Sequence, residues 1–272
     1  MAQLTVANDE IELAHHVAER LTQLIEHAAA RNGSAFVSLT GGTTPRRLYS
    51  SLADPHQPWR GRIPWSQVHL FWGDERHVPP EHPDSNFGMA KAALIEHVPV
   101  PVDQVHRIRG EMPDARDAAA DYERTLDVVS GVSRPADVAS AFRRKDAFFD
   151  VMLLGVGEDA HVASIFPGSE LLGPRADGPA TGREGLAARP SGHRVAAVWA
   201  APLTAWRITL TPDALLDARA IVMLVAGANK AAAVHSALSA PLDVMTSPAQ
   251  LLRNAGNRVE WFLDRAAAGS SE

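Results

Sequence analysis

Nothing restricts the architecture of this chain more than the way its apolar runs end. Residues 35–40 are apolar up to Gly41-Gly42, after which Pro45 opens an amphipathic pattern carried by Leu48, Tyr49 and Leu52. So short a run bounded by glycines reads as a buried strand, and proline suits the first position of a helix. Before it, residues 9–30 place Ile11, His15, Ala18, Leu21, Leu24 and Ile25 near one helical face, with Gly33 as the stop signal. The rhythm returns as a strand over 68–72, helices over 86–98 and 114–129, and a strand over 149–154. Further strands are predicted at 193–199, 207–210 and 221–225, a helix at 229–238, and an edge strand at 259–263. Alternation of this kind predicts an α/β fold, a doubly wound, mostly parallel and Rossmann-like sheet flanked by helices.

No shift in composition marks a linker, and no repeat is present, so residues 1–272 are expected to form a single domain. Two stretches rich in Gly, Pro and Arg, 131–146 and 173–193, read as surface excursions. The absence of cysteine excludes disulfides, thiolate catalysis and Cys-containing zinc sites. A formal charge of −6 disfavours nucleic acid and anionic membranes as partners, so an anionic ligand would be held by local charge. The amino-terminal residues do not read as a signal peptide, and the longest apolar run, 220–227, is far too short to span a bilayer. A cytoplasmic location is the expectation, and the oligomeric state is not legible.

In open α/β sheets ligands sit beyond the carboxyl ends of the strands, which directs attention to four loops. In the first, Gly42, Thr43 and Thr44 precede a helix, where backbone N–H groups attract anions and glycines let a phosphate come close. The alternative is a tight strand-to-helix turn capped by threonine. In the second, a strand runs into Asp74, Glu75 and Arg76, charges that either face the crevice or form a solvated ion-pair cluster. His77 and His82 follow, but no HExxH spacing supports a metal site, and no metal or other cofactor is expected.

The third loop joins Gly155 and Gly157 to Asp159 and His161, the histidine at an expected helix start. Such a histidine can act as a general base near neutral pH, with Asp159 close enough in sequence to orient it. A serine-nucleophile triad would need a GxSxG elbow, which is absent. In the fourth, Gly227 ends a strand and Lys230 opens a helix. Lysine there opposes the helix dipole unless an anion is also present, and the chain has only two other lysines, Lys91 and Lys145.

In order, the segments GGTTP, GDERHV with DSNFG, GVGEDAHVASIFPGS, RITLTPDALLDA and GANKAAAV resemble the family of the 6-phosphogluconolactonases and glucosamine-6-phosphate deaminases, and the likeness runs from the first helix to WFLDRAAA. It implies the deaminase-type α/β fold. Arg76, where the deaminase branch has tyrosine, and the sequence from Ile165 to Ser169, where that branch reads FNEPGSS, favour the lactonases. The resemblance implies that Gly42, Thr43, Thr44, Arg76 and Lys230 bind a sugar-phosphate lactone, that His161 is the base supported by Asp159, and that Asp74 walls the crevice. The implied reaction is hydrolysis of 6-phospho-D-glucono-1,5-lactone in the oxidative pentose phosphate route, with oxyanion donors drawn from the turn holding Gly155 and Gly157 or from a cationic side chain. Its rate should fall on acidification as the imidazole takes a proton. Amino-sugar-phosphate deamination and non-catalytic sugar-phosphate binding are the competing readings. The family usually has glycine where this chain has Ala160. If that position is left-handed, alanine costs on the order of 1 kcal/mol and can displace the histidine; if not, the change is silent.

Overall fold

The structure, a computed structural model, describes residues 3–131, 147–173 and 192–269. The two expected excursions lie outside these residues, apart from their outermost positions. The chain begins with β1 (Gln3–Ala7) and α1 (Glu10–Asn32). Helix α1 starts where the Asp9 carboxylate accepts the N–H groups of Ile11 and Glu12 at 2.8 and 2.9 Å, and stops at Gly33, whose N–H donates to the Ala29 carbonyl. Then come β2 (Ala35–Leu39), α2 (Thr43–Ala53), α3 (Pro58–Arg62), β3 (Val68–Trp72), β4 (Asp74–Arg76), α4 (Asn86–Ala93) and α5 (Ala115–Ser130). The second half supplies β5 (Phe149–Leu154), β6 (Val195–Ala200), β7 (Ala205–Leu210), α6 (Pro212–Leu216), β8 (Ala218–Val225), α7 (Ala231–Leu238) and β9 (Val259–Asp264).

Six strands form one wholly parallel sheet in the order β1-β9-β8-β5-β2-β3. Every residue of β2, β5 and β9 is buried, as expected of parallel strands covered by helices on both faces. The fold class is the expected one, but β9 is not an edge. It lies between β8 and β1, and the edge strand is β1, whose exposed Leu4 and charge-rich continuation give little periodicity to read. The outer edge of β3 is closed by local contacts: Val105 bridges Leu70, and the Tyr122 hydroxyl accepts the Trp72 N–H and donates to its carbonyl at 2.9 and 3.1 Å.

The strands expected at 193–199 and 207–210 do not extend this sheet. They pair antiparallel in a separate three-stranded sheet, β4-β7-β6, with β7 facing β4. Several boundaries also differ from the sequence pattern. Pro45 is the third residue of α2, helix α4 stops at Ala93 before a separate 3₁₀ turn, and α7 begins at Ala231 after a 3₁₀ turn at 228–230.

Candidate active site

The carboxyl ends of β2, β3, β5 and β8 open into one crevice with a cavity volume of about 280 Å³. Gly42, Thr43, Thr44, Asp74, Arg76, Gly155, Gly157, His161 and Lys230 all line it. Asp159 stands behind the histidine. The four loops singled out in the sequence thus meet at one place, as the switch-point rule for open sheets requires.

Helix α2 presents its amino end to the crevice. Gly42 stands at the cap position with φ of 111°, and no side chain caps the helix, so the alternative of a threonine-capped turn is not realised. The strand before it is held by Tyr49, whose hydroxyl accepts the Thr40 N–H at 3.0 Å and donates to the Thr40 carbonyl at 2.8 Å. Beside it Gly41 passes so close to Asn86 that an added Cβ would lie 1.8 Å from the Asn86 Oδ1. Asn86 in turn donates from Nδ2 to the Asp74 carbonyl at 2.9 Å and to its Oδ1 at 3.3 Å.

The two acids after β3 divide their work. Asp74 faces the crevice and accepts the Ser164 hydroxyl at 2.6 Å. Glu75 is buried and turned away, accepting the N–H groups of Arg76, Asn86 and Phe87 at 2.7–2.8 Å and the Ser85 hydroxyl at 3.1 Å. Burial pushes its carboxyl above the ordinary range, against the opposing pull of those three N–H groups. It therefore fastens β4 to the start of α4, and neither acid belongs to a solvated ion-pair cluster. Arg76 donates to the Asp84 carbonyl. His77 bonds the Met112 carbonyl and His82 lies beside Asp84.

His161 lies in a turn, not at a helix start, and Val162 forms an isolated bridge with Ile165. Its Nδ1 is 2.6 Å from the Asp159 Oδ1. A carboxylate only accepts, so Nδ1 carries the proton and Nε2 is the basic atom of the neutral ring. Burial raises the Asp159 carboxyl, but the His161 charge and hydrogen bonds pull it down further, and it ends below its ordinary value. The pair lies directly over Gly157, where an added Cβ would sit 2.0 Å from the His161 Nδ1 and 2.6 Å from the Asp159 Oδ1. Phe166 flanks the ring at 4.5 Å between centroids.

Ala160 has φ of 63°, so the left-handed case is the one realised. The histidine is nonetheless in the crevice, because the turn is tied down on both sides of the alanine. The Ala160 N–H donates to the Gly157 carbonyl at 3.0 Å, the Gly157 N–H to the His161 carbonyl at 2.9 Å, and the Ala249 N–H to the Ala160 carbonyl at 2.9 Å. On the far side, Asp264 accepts the Gly227 N–H at 3.1 Å, and Asn229 donates to Glu158 at 2.6 Å, linking the Lys230 loop to the His161 loop.

Asn86, Ser164 and Arg207 are crevice residues that the sequence pattern did not single out. Asn86 and Arg207 fall inside the DSNFG and RITLT segments, but their place depends on contacts between distant parts of the chain. Arg207 is half-buried on β7. Burial and the Arg76 charge push its pKa down, opposed by nearby Asp74, Asp84 and Glu75.

Among the described residues no group of three or more His, Cys, Asp or Glu side chains is arranged to hold a metal ion, and no helix is long and apolar enough to cross a membrane. Residues 8–261 match the sequence profile of the family described as glucosamine-6-phosphate isomerases/6-phosphogluconolactonase. The chain is 37% identical over 271 residues to a 6-phosphogluconolactonase of Streptomyces coelicolor, covering 98% of this chain and 93% of that one. It is 30% identical to one of a Nostoc species, covering 96% and 95%. Among solved structures, the 6-phosphogluconolactonase of Trypanosoma cruzi superposes with a TM-score of 0.76 at 26% identity, covering 99% of this chain and 96% of that one.

Proposed function

The chain belongs to the glucosamine-6-phosphate isomerase/6-phosphogluconolactonase family, and from that premise we propose that it hydrolyses 6-phospho-D-glucono-1,5-lactone to 6-phospho-D-gluconate in the oxidative pentose phosphate route, with His161 as general base. The observation that carries the role of His161 is the 2.6 Å bond from its Nδ1 to Asp159, which leaves Nε2 as the basic atom of a residue that lines the crevice together with Arg76, Arg207 and Lys230.

The reaction asks for a positioned water and a proton acceptor. The open amides of Thr43 and Thr44, the Gly42 turn and the Lys230 ammonium hold the phosphate; Arg76 completes the substrate-binding set. Fixing the remote phosphate brings the lactone carbon to the base and converts binding energy into orientation. Water attacks C1 as Nε2 takes its proton, and a C1–O bond forms. The carbonyl electrons return, the bond from C1 to the ring oxygen breaks, and His161 gives its proton to the departing C5 oxygen. The new carboxylic acid then loses its proton to solvent. General-base assistance of this kind contributes roughly 10²–10⁴-fold. Asp74, bonded to Ser164 and Asn86, shapes the wall between the phosphate loop and the His161 turn.

The test is a comparison of two reactions with one protein preparation. Freshly generated 6-phosphogluconolactone should disappear faster than in an enzyme-free blank, and glucosamine 6-phosphate should release no ammonia. Ammonia release without lactone hydrolysis would place the chemistry in the other branch of the family.

A further inference from the structure

The antiparallel pairing of β4 with β7 sets Arg76 directly opposite Arg207. Side chains of directly opposed residues stand about 4.5–5.5 Å apart at Cβ, and like charges there are destabilising. The side chains alternate along each strand, so the Arg76/Arg207 pair shares its face with the next pair but one, Asp74 and Thr209. That face borders the crevice, since Asp74, Arg76 and Arg207 all line it.

Among the described residues no carboxylate is bonded to either guanidinium, although Asp74, Asp84 and Glu75 lie near enough to Arg207 to oppose the effect of the Arg76 charge. Arg76 donates to the Asp84 carbonyl and Arg207 to the Trp206 carbonyl at 3.2 Å, and among the described residues neither makes an ion pair. Of the three nearby acids, Asp74 is bonded to Ser164 and Asn86, Glu75 to backbone N–H groups, and the exposed Asp84 carboxylate lies beside His82. A half-buried like-charged pair of this kind is a seat for an anion.

The crevice already has anion-binding groups at Lys230 and at the amino end of α2; α2 follows β2, next to β3, so it is Lys230 that the sheet order sets apart from the arginine pair. Lys230 follows β8, whereas Arg76 follows β3, three strands away in the order β8-β5-β2-β3. At about 4.8 Å per strand those strands lie about 14 Å apart, more than one phosphate group spans. Between them comes the His161 turn, which is tied to the β4–β7 ladder: the Ser164 hydroxyl donates to Asp74, and the Ser164 N–H to the Thr209 hydroxyl at 3.2 Å.

The substrate carries one phosphate, but hydrolysis creates a second anion at its other end, first as the oxyanion on C1 and then as a carboxylate. Resting on the lactonase reading above, the geometry points to Arg207, paired across the strands with Arg76, as a catalytic residue that receives the C1 oxyanion and the product carboxylate. The guanidinium pair is held by strand pairing before substrate arrives, so it meets the developing charge without reorganising. It also gives the crevice a direction: phosphate toward Lys230, reacting carbon toward β4 and β7.

Equilibrium binding separates this role from phosphate binding. Titration calorimetry would compare 6-phosphogluconate, which has a carboxylate at C1, with glucitol 6-phosphate, which has a neutral hydroxymethyl group there. The natural chain should prefer 6-phosphogluconate by about tenfold or more, as charge-assisted bonds warrant. Arg207→Gln should abolish that preference while leaving glucitol 6-phosphate affinity within about twofold, and should lower kcat; Arg207→Lys should restore part of both. Lys230→Gln should weaken both ligands alike. Equal weakening of both ligands by Arg207→Gln would make Arg207 a phosphate ligand and overturn the assignment, as would a natural chain with no preference or a variant with no change. Because the assay reads binding, an inactive natural chain that still prefers 6-phosphogluconate would count against the lactonase reading and leave this seat standing.

Discussion

Both tyrosines of the chain, Tyr49 and Tyr122, are wholly buried, and each closes a strand end by bonding the N–H and the carbonyl of one residue. Tyr122→Phe keeps the ring and removes only the hydroxyl, leaving the Trp72 N–H and carbonyl without their partner. An orphaned buried polar group costs roughly 1–3 kcal/mol, so the pair should cost about 2–6 kcal/mol, a Tm drop of about 4–12 °C at roughly 2 °C per kcal/mol for a chain of this size. Tyr49→Phe should cost a similar amount through Thr40 and should also raise KM, because Thr40 leads into Gly41 and Gly42 of the phosphate loop. Burial raises both phenol pKa values above the usual 10, outweighing the backbone hydrogen bonds that lower them. Raising the pH of the native protein past 10 should therefore produce no tyrosinate absorbance, which should appear in one step with unfolding. Calorimetry and an alkaline absorbance titration check both statements. A Tm change below about 1 °C for Tyr122→Phe, or tyrosinate titrating near pH 10 in folded protein, would refute the reasoning.

Ala160→Gly relieves a left-handed alanine, roughly 1–2 kcal/mol, but adds about 0.4–1 kcal/mol of unfolded-state entropy, so stability should rise by about 0–1.6 kcal/mol. Its kcat should match the parent, because His161 already bonds Asp159; a tenfold rise in kcat would mean that alanine holds the base out of place. Asp159→Asn should lower kcat by about a hundredfold with KM little changed, since the amide no longer selects the Nδ1–H tautomer, and steady-state kinetics at neutral pH would show it. Burial, with the nearby His69 and against Asp103, pushes His106 down to about 4 from 6.5. The unfolded chain thus binds the extra proton between those values, so stability is lost as pH falls from about 6.5 toward 4, and denaturant titrations of His106→Gln should show a shallower loss over that window.

The loops at the crevice were legible because each follows a short apolar strand and carries glycine, hydroxyl or charge. Periodicity also located α1, and the buried strands β2, β3, β5 and β8. It could not reveal that β4 joins the consecutive strands β6 and β7 in a sheet of their own, since the β4–β7 pairing joins segments far apart in sequence and sets Arg76 opposite Arg207 and Asp74 opposite Thr209. Strand β1 was missed for a local reason: it is short and half-exposed, so tertiary pairing with β9 decides its state. Ser164 escaped notice because a serine after a histidine carries no signal until Asp74 is found 2.6 Å from its hydroxyl. The backbone angle of Ala160 was likewise a choice between two outcomes that only the folded turn decides.

The most direct test of the account is the blank-subtracted loss of freshly generated 6-phosphogluconolactone, run side by side for the natural chain and His161→Ala, with 6-phosphogluconate binding measured on both. The natural chain should accelerate hydrolysis well above the blank, and His161→Ala should lose at least about a hundredfold while still binding 6-phosphogluconate. A variant that retains the parent rate would remove His161 from the reaction and contradict the account.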